Sequence, residues 1–455
     1  MMKKIIISFL FIQLFFIQTS YAAPIETNRP KNIIFLIGDG MGLGQMEIAR
    51  TFEYGKKGRL FLETLPYTAL AHTYSANNQV TDSAAGGTAL AIGKKTNNGM
   101  IGVTADGKPA DSILDLFKKN GLSTGIVTTN SVTDATPASF TASVKNRWTG
   151  QMEIAKQQLQ NDVDVILGGG EKYFTSQNAH GVKLLDQYQQ AGYQYVTTDK
   201  ELQKANSRKL LGLFGPKHLN FKLDRDNVNS QEPTLTDMTA KALETLSKDN
   251  KGFFTMIEGA RIDQASHAGD ITSIWKETIE FDDAVKYCVK WAETHQDTLV
   301  VVAADHETMG VSATEPMNKK ALKKITVTPH FMAKHLQKNA NGIGYTNKSI
   351  KQVFHQYANM TVTDEDTALF NSQINPKKGQ VYPEQHVAWE IGNMIAKHNH
   401  AGVLNRTIEE LSSTGGHTSN MIPVFAYGKG AETFHGVLDN TDIPKKLAET
   451  MGFTF

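Results

Sequence analysis

The stretch KNIIFLIGDGMG, residues 31–42, joins five consecutive apolar residues to a carboxylate flanked by glycines. A continuous apolar run such as Ile33–Ile37 is typical of a strand that is buried on both faces. The glycines let the chain turn sharply beside Asp39, directly after that strand. The stretch therefore predicts a core strand that carries a carboxylate at its carboxyl end, although a strand followed by Gly-Asp-Gly also occurs as a plain turn.

Five further runs of this kind recur along the chain, separated by helix-like segments, at residues 125–129, 163–167, 253–257, 298–303 and 422–427. Strands that alternate with helices predict an α/β fold with a mainly parallel central sheet and helices on both faces. Residues 171–250 fit this pattern poorly and are predicted to form loops plus a peripheral helix. Residues 311–402 form a long insertion, in which Glu384–Lys397 has the pattern of an amphipathic helix.

The N-terminal residues 1–23 have the pattern of a secretory signal peptide. Lys3 and Lys4 precede an apolar run, and the segment ends in Ser-Tyr-Ala-Ala, which predicts cleavage after Ala22 or Ala23. The apolar run is short for a membrane span, so we prefer a signal peptide to a membrane anchor. We therefore expect an exported protein, periplasmic or secreted, with residues 24–455 as its single domain and no membrane partner.

Charge and cysteine content narrow the class of function. Loss of Lys3 and Lys4 with the signal peptide leaves 45 basic and 46 acidic residues, a net charge of −1. Such a chain lacks the positive charge that drives nonspecific binding to nucleic acids, and a small-molecule enzyme is favoured. Cys288 is the single cysteine, which excludes an internal disulfide, and we expect it to pack as a small hydrophobic residue in a helix.

Polar residues follow the predicted strands repeatedly, at the point where each run ends. In open α/β sheets, ligand sites lie beyond the carboxyl ends of the strands, so these residues should converge on one edge of the sheet. One carboxylate at a strand end is often only a cap, but several such ends predict a site. The residues in these positions are Asp39, Thr133, Asp134, Thr136, Glu258, Asp305 and His306.

The segment VTDSAAGGTA, residues 80–89, predicts a helix start. Thr81 or Asp82 can cap a helix that begins near Ala84, which places Ser83 where free N–H groups and the helix dipole favour negative charge. The alternative is that Ser83 is itself the cap. No neighbouring histidine in the sequence is suited to activate it, so a nucleophilic Ser83 would need activation by a metal.

Candidate metal ligands occur in several acidic or glycine-bearing segments. Asp263 and His267 are four residues apart and would share one face of a helix. Asp305 and His306 are adjacent, and His417 lies in the loop TGGHT. Mixed imidazole and carboxylate ligation suits zinc, whereas an all-oxygen set suits magnesium; the oxygen-bearing candidates are Asp39, Thr136 and Glu258.

Six ordered motifs resemble the alkaline phosphatase family, between about residues 30 and 310 and again between about 403 and 445. The end of the chain, residues 434–442, resembles it too. The motifs are GDGMG at 38–42, TDSAAGGT at 81–88, DATPA at 134–138, EGARIDQASH at 258–267, ADHE at 304–307 and GGH at 415–417.

The resemblance implies a fold of this family, small-molecule phosphate monoesters as substrates, a homodimer, two zinc ions and one magnesium ion. Ser83 would be the nucleophile, and Arg147, thirteen residues after Asp134, would grip phosphate. The implied ligands are Asp263, His267 and His417 for one zinc, Asp39, Asp305 and His306 for the other, and Asp39, Thr136 and Glu258 for magnesium, whose waters Asp134 would orient.

The chain departs from the family pattern in three places. Some members have histidine at the position of Asp134, and others have lysine, histidine or tryptophan at the position of Gln264. A neutral Gln264 offers no cation to a phosphate-bound water, which bears on phosphate binding and on the third metal. The insertion at 311–402 is longer than in compact members, and we expect it to form a lid over the site or to extend a subunit contact. Its five histidines are predicted to lie at the surface: His330, His335, His355, His398 and His400.

Two other functions remain open on the sequence. A phosphodiesterase of the same superfamily would share the metals and the nucleophile. A non-catalytic periplasmic protein that binds zinc or phosphate would need the ligands but neither Ser83 nor Arg147.

Overall fold

The computed structural model describes residues 29–177, 181, 183–374 and 383–455, so the predicted signal peptide lies outside the described residues. The strands are β1 Asn32–Gly38, β2 Tyr67–His72, β3 Ser123–Ser131, β4 Val165–Gly169, β5 Gln194–Val196, β6 Leu210–Leu213, β7 Phe253–Gly259, β8 Thr298–Ala303, β9 Glu307–Thr308, β10 His417–Thr418, β11 Ile422–Gly428 and β12 Gly436–Asp439.

The helices surround the sheet and also make up most of the long insertion. They are α1 Leu43–Glu53, α2 Ser83–Ile92, α3 Ile113–Lys119, α4 Ala135–Ser139, α5 Gln151–Gln160, α6 Lys172–Thr175, α7 Leu184–Gln190, α8 Asp199–Lys204, α9 Lys222–Val228, α10 Leu235–Leu246, α11 Arg261–His267, α12 Ile271–Thr294, α13 Lys319–Leu322, α14 Pro329–Lys334, α15 Asn347–Ala358, α16 Asp364–Gln373, α17 Glu384–His398, α18 Arg406–Leu411 and α19 Asp442–Met451.

Ten strands form one sheet in the order β12-β2-β11-β8-β1-β7-β3-β4-β6-β5. Every neighbouring pair is parallel except the two that involve β11, which runs antiparallel to β2 and β8. All residues of the central strands β1, β7 and β8 are buried, which explains why their sequences read as continuous apolar runs. The predicted α/β fold with a mainly parallel sheet is confirmed, and all six apolar runs are strands.

The prediction for residues 171–250 is wrong. This region contributes β5 and β6, which extend the sheet at one edge, and the helices α6 to α10. The two strands have three and four residues, too few to stand out as apolar runs. The strand β2 also escaped notice because its burial alternates, as expected for a strand with one solvated face.

Within the insertion, α17 matches the amphipathic helix predicted at Glu384–Lys397 to within one residue. It packs closely against the turn that follows α11, because a side-chain carbon on Gly392 would lie 1.7 Å from the carbonyl oxygen of Ala268. Ala268 directly follows His267, so this insertion helix supports a predicted ligand.

Cys288 is buried in α12, as predicted. Among the helices of the described ranges, none is long and apolar enough to cross a bilayer.

We expect Gly392→Ala to destabilise the protein by about 1–3 kcal/mol, because overpacking a close helix contact forces the backbone to shift. Chemical denaturation of the variant and the parent would measure the loss. Lys397→Ala, at an exposed position of the same helix, is the matched control and should stay within about 0.5 kcal/mol. Equal stability of Gly392→Ala and the parent would show that α17 does not press on the turn after His267.

Candidate active site

The predicted site residues meet at the carboxyl edge of the parallel strands. In the sheet register, Ile37 of β1 lies beside Glu258 of β7 on one side and Ala303 of β8 on the other. Asp39 and Asp305 each follow two residues later, so they reach the same edge as Glu258. A cavity of about 750 Å³ opens there, and Asp39, Ser83, Asp134, Arg147, Asp263, His267 and His417 line it.

Ser83 is the first residue of α2, and the cap before it is Asp82. The Asp82 carboxylate accepts hydrogen bonds from the backbone N–H of Ala85 and of Gly99, both at 2.9 Å. The alternative in which Ser83 is the cap is therefore wrong. Its hydroxyl is free to face the cavity at a helix start, where negative charge is stabilised. Gly86 lets α2 approach the segment that follows β8, since a side-chain carbon there would lie 2.8 Å from the carbonyl oxygen of Asp305.

His306 lies between the serine and two carboxylates. Its Nε2 atom is 3.2 Å from Ser83 Oγ, 3.2 Å from Asp305 Oδ2 and 3.5 Å from Asp39 Oδ1. Burial lowers the pKa of His306 to about 4, so the ring is neutral at physiological pH. The sequence could not pair this histidine with Ser83, because 223 positions separate them.

Thr308 sets the orientation of the His306 ring. The Thr308 hydroxyl donates to Asp263 Oδ1 at 2.5 Å and therefore accepts from Nδ1–H of His306 at 3.2 Å. The Nε2 lone pair of His306 is thus directed toward Ser83 and the carboxylates. A histidine whose other ring nitrogen donates to a fixed partner is typical of metal ligands.

The other two histidines are held in the same way, around Asp263. His267 donates Nδ1–H to the carbonyl of Gly415 at 2.7 Å, and His417 donates Nδ1–H to the carbonyl of Thr81 at 2.9 Å. Their Nε2 atoms lie 3.2 Å apart, and each faces an oxygen of Asp263, at 3.3 Å and 3.6 Å. When both rings are neutral, two lone pairs face each other, which is repulsive unless a proton or a cation lies between them.

The pKa directions in this group follow from the geometry. Burial, together with His306, holds the pKa of His417 well below its usual range. Burial also opposes the charge on His267, but the adjacent Asp263 outweighs it and raises the pKa of His267. For Asp263, burial favours the neutral acid, yet His267 and His417 hold its pKa far below the usual value. In the absence of a metal, a proton on His267 relieves the repulsion.

A third group consists of buried oxygen atoms. Thr128 donates to one oxygen of Glu258, while the other, Oε1, has no hydrogen-bond partner in the described part of the chain. The same holds for Thr136 Oγ1, Asp39 Oδ1 and Asp305 Oδ2. Burial raises the pKa of Glu258 to about 8 and that of Asp305 to about 7, and it raises the pKa of Asp39 as well. Ionised carboxylates in this position require a compensating cation.

These three groups fit divalent cations. Ligand atoms of Asp39, Asp305 and His306 lie within 4.8 Å of one another, and so do those of Asp263, His306 and His417. His306 is thus close to both groups, and its ring stacks on His417 with centroids 3.6 Å apart. The unpaired oxygens and the inward Nε2 atoms are the donors that a cation would satisfy.

Arg147 is buried, 8% exposed, and two carboxylates orient it. Its Nη1 lies 3.5 Å from Asp82 Oδ2 and its Nη2 3.4 Å from Asp134 Oδ2. Asp134 also accepts from Asn130 Nδ2 at 2.9 Å, and it belongs to neither of the two three-residue groups. From the sequence, Asp82 is predicted only as a cap. Its ion pair with Arg147, which lies 65 residues further along, has no signal in the sequence.

Two residues near His267 also line the cavity. Gln264, one turn before His267 in α11, is one of them. Trp389 of α17 stacks on the His267 ring, with centroids 5.1 Å apart and an angle of 16°. The tryptophan was not identified from the sequence, because nothing along the chain shows which element α17 contacts.

The chain is similar to known alkaline phosphatases over nearly its whole length. The alkaline phosphatase family model matches residues 30–453. Alkaline phosphatase 4 of Bacillus subtilis is 34% identical over 430 residues, which cover 90% of this chain and 87% of that protein.

Solved structures agree. The cold-active alkaline phosphatase from a psychrophilic Shewanella species matches with a TM-score of 0.77 and 31% identity, covering 92% of this chain and 99% of that one. The Thermus thermophilus alkaline phosphatase matches with a TM-score of 0.82 and 27% identity, covering 94% of this chain and 92% of that one. A histidine-to-aspartate mutant of alkaline phosphatase TAB5, with magnesium bound in its M3 site, matches with a TM-score of 0.66 and 30% identity. The match covers 94% of this chain and 99% of that one.

The raised pKa values predict how pH affects the metal-free protein. Folded Glu258 and Asp305 keep their protons to about pH 8 and 7, whereas unfolded carboxyls lose theirs near pH 4. At these two carboxyls the folded state therefore binds more protons than the unfolded state, and their contribution to the free energy of unfolding should fall by at least about 2 kcal/mol between pH 5 and 8. The buried histidines His306 and His417, whose pKa values are lowered, contribute with the opposite sign, so the effect of Glu258 is measured as the difference between the parent and Glu258→Gln.

Denaturant melts of chelated protein at several pH values would measure this difference. Glu258→Gln should gain stability relative to the parent as the pH rises from 5 to 8, because the variant lacks the carboxyl that keeps its proton in the folded parent and loses it on unfolding. An unchanged difference in stability between Glu258→Gln and the parent across this pH range would contradict the interpretation.

Proposed function

Because this chain belongs to the alkaline phosphatase family, an enzyme family that hydrolyses small phosphate monoesters, we propose that it does so through a phosphoserine at Ser83. The observation that carries the proposal is the position of the Ser83 hydroxyl. It lies at the start of α2, 4% exposed, 3.2 Å from His306 Nε2 and in the same cavity as Arg147. A candidate nucleophile, an arginine that can bind phosphate and residues that can bind metal ions thus line one cavity.

The reaction is a double displacement on phosphorus. Deprotonated Ser83 Oγ forms a bond to phosphorus as the bond to the ester oxygen breaks, and the alcohol leaves. A water molecule then attacks the phosphoserine, which releases inorganic phosphate and restores the serine. The transition states are loose, so positioning and charge stabilisation supply most of the catalysis.

Arg147 binds the transferring group. Its guanidinium can pair with two non-bridging oxygens at once, and the ion pairs with Asp82 and Asp134 hold it in a fixed orientation. Because Asp82 also caps α2, the same carboxylate aligns the nucleophile and the phosphate-binding cation. Arg147 keeps its charge, since the neighbouring Asp134 and Asp82 offset the effect of burial and raise its pKa.

We propose two zinc ions and one magnesium ion as the cofactors. When bound, they would supply Lewis-acid stabilisation of the attacking, leaving and non-bridging oxygens. The inward Nε2 atoms of the three histidines and the carboxylates beside them suit zinc, and the unpaired oxygens suit magnesium. The ligands would be Asp263, His267 and His417 for one zinc, Asp39, Asp305 and His306 for the other, and Asp39, Thr136 and Glu258 for magnesium.

Asp134 would act on the magnesium from a distance, by orienting its waters. The TAB5 mutant in which aspartate replaces histidine has magnesium in its M3 site. This agrees with a preference for magnesium in a chain that carries aspartate at position 134.

We further propose that the protein is exported to the periplasm or beyond, on the strength of the leader at residues 1–23, and that it forms a homodimer, as is typical of the family. N-terminal sequencing of the mature protein and light scattering after size-exclusion chromatography would test these two points.

Ser83→Ala should abolish phosphoserine formation and reduce turnover of an aryl phosphate on the order of 10⁴-fold, because the nucleophile is removed. Quenching the enzyme at low pH after mixing with radiolabelled substrate and locating the label by mass spectrometry would measure both. The control is Ser419→Ala, an exposed serine two residues after His417. Full turnover by Ser83→Ala would refute the nucleophile, and absence of labelled serine in an inactive parent would favour a non-catalytic binding protein.

Arg147→Ala should lower kcat/KM for a monoester by about 10- to 100-fold, because a charge-assisted bidentate contact is lost. Diester hydrolysis should fall much less, since a diester presents fewer charged oxygens. Parallel kinetics on phenyl phosphate and bis-phenyl phosphate would show the difference, with exposed Arg208→Ala as the control. Equal losses on both substrates would favour a phosphodiesterase.

A further inference from the structure

A second cavity, of about 430 Å³, adjoins the catalytic one. The two share part of their lining, which consists of Lys217, His218, Gln264, Gln385 and Trp389. Gln264 and Trp389 flank His267, on the side of the site where the leaving group would sit if Ser83 attacks from the His306 side. A substrate bound for reaction could therefore extend from the catalytic cavity into this side cavity.

Arg261 lines the side cavity and is 3% exposed. Its guanidinium lies over the ring of Phe221, 3.4 Å from the centroid, and its Nε atom has no hydrogen-bond partner in the described part of the chain. Its terminal nitrogens also make no hydrogen bond to the described residues. A buried cation without such partners is costly, so the position of Arg261 at a cavity wall points to a ligand for its terminal nitrogens.

The nearest acids do not satisfy this arginine by hydrogen bonding. Glu277 and Asp224 are the carboxylates that act most strongly on its charge. However, Asp224 accepts from the backbone N–H and the hydroxyl of Thr328, at 3.0 Å and 2.7 Å. Glu277 accepts from the backbone N–H of Lys222 at 2.6 Å. Both carboxylates therefore offset the positive charge of Arg261 through space, while their hydrogen bonds are made to Thr328 and Lys222.

Arg225 provides the contrast within the same region. It is 6% exposed, donates to the carbonyl of Pro233 at 3.0 Å and forms an ion pair with Glu280. The Nε atom of Arg225 likewise has no hydrogen-bond partner among the described residues, so the two arginines differ in their terminal nitrogens: those of Arg225 are paired, whereas Arg261 rests on an aromatic ring beside a cavity.

The rest of the cavity wall is mostly basic or neutral. Lys217 and Lys334 are exposed at its margin, and two acids also line the cavity, the exposed Glu384 and the half-buried Asp224, which is engaged by Thr328. Arg261 lowers the pKa of His218, and burial lowers that of His330 to about 3, so both imidazoles are neutral. The Nδ1 atom of His330 is buried and has no hydrogen-bond partner among the described residues, and the ring packs on Phe221. His330 is therefore an exception to the predicted surface histidines of the insertion.

We propose that the side cavity is an anion-binding subsite that takes a second anionic group, phosphate or carboxylate, on the leaving group of the substrate, with Arg261 as its main contact. The inference rests on the proposed function, since it assigns the leaving-group side of that reaction. The substrate class is a phosphate monoester with an anion at its far end. The insertion supplies part of the subsite, through Trp389, Gln385, His330 and Lys334.

The test compares matched substrates on the metal-loaded enzyme. Alkanediol bisphosphates of increasing chain length are set against alkyl monophosphates of the same length, and the ratio of their kcat/KM values is measured. At the length that spans both cavities, the ratio should exceed one and should fall about tenfold or more in Arg261→Met, mainly through KM. Arg225→Met, which removes an equally buried arginine, should lower stability without changing the ratio.

A binding measurement separates the possible sources of the anion. Calorimetry with a non-hydrolysable alkyl bisphosphonate should show tighter binding than the matching monophosphonate in the parent and equal binding in Arg261→Met. If the cavity instead binds free phosphate, inorganic phosphate would bind a second time, Arg261→Met would lose that event and no chain length would be preferred. That result, or an unchanged ratio in Arg261→Met, would overturn the leaving-group subsite.

Failure of the proposed function gives a different pattern. In that case the parent would not hydrolyse the plain alkyl monophosphates at all. If it hydrolyses them with no preference for the bisphosphates, the phosphatase function stands and the subsite alone is wrong.

Discussion

The constraint on which this structure depends is a set of buried, ligand-type nitrogen and oxygen atoms, most of which have no hydrogen-bond donor among the described residues. At the carboxyl edge of the sheet, three histidines direct Nε2 inward because each Nδ1–H is held by a fixed acceptor. Carboxylate oxygens of Asp39, Asp305 and Glu258 lie in the same volume without partners among the described residues. Such an arrangement is unfavourable without cations, so the fold stores free energy that metal binding releases.

The sheet makes this concentration of charge possible. The central strands β1, β7 and β8 are entirely buried, and their register brings the acids that follow them to one edge. Helix α2 then packs closely over that edge, because Gly86 has no side chain and its backbone lies directly against the backbone of Asp305. The free energy gained by packing the core thus offsets the electrostatic repulsion among the carboxylates and histidine nitrogens of the site.

The sequence predicted the central part of the fold and the convergence of these polar residues at one edge of the sheet, since both have local signals. Buried strands read as apolar runs, Asp82 caps α2 beside Ser83, and Asp263 and His267 share a helix. It failed for the short β5 and β6, where three or four residues carry too little pattern. It also missed contacts between distant residues, such as Trp389 on His267, because side-chain partners across the fold leave no trace in one sequence.

The long insertion contacts both a predicted metal ligand and the two adjoining cavities. Its helix α17 presses Gly392 against the turn after His267 and stacks Trp389 on the His267 ring. The same tryptophan forms part of the wall between the two cavities. A leaving group that contacts Trp389 therefore touches the support of a predicted zinc ligand. Changes in α17 would alter the wall of the cavities and the position of His267 together, which makes this helix the element through which the insertion can tune the site.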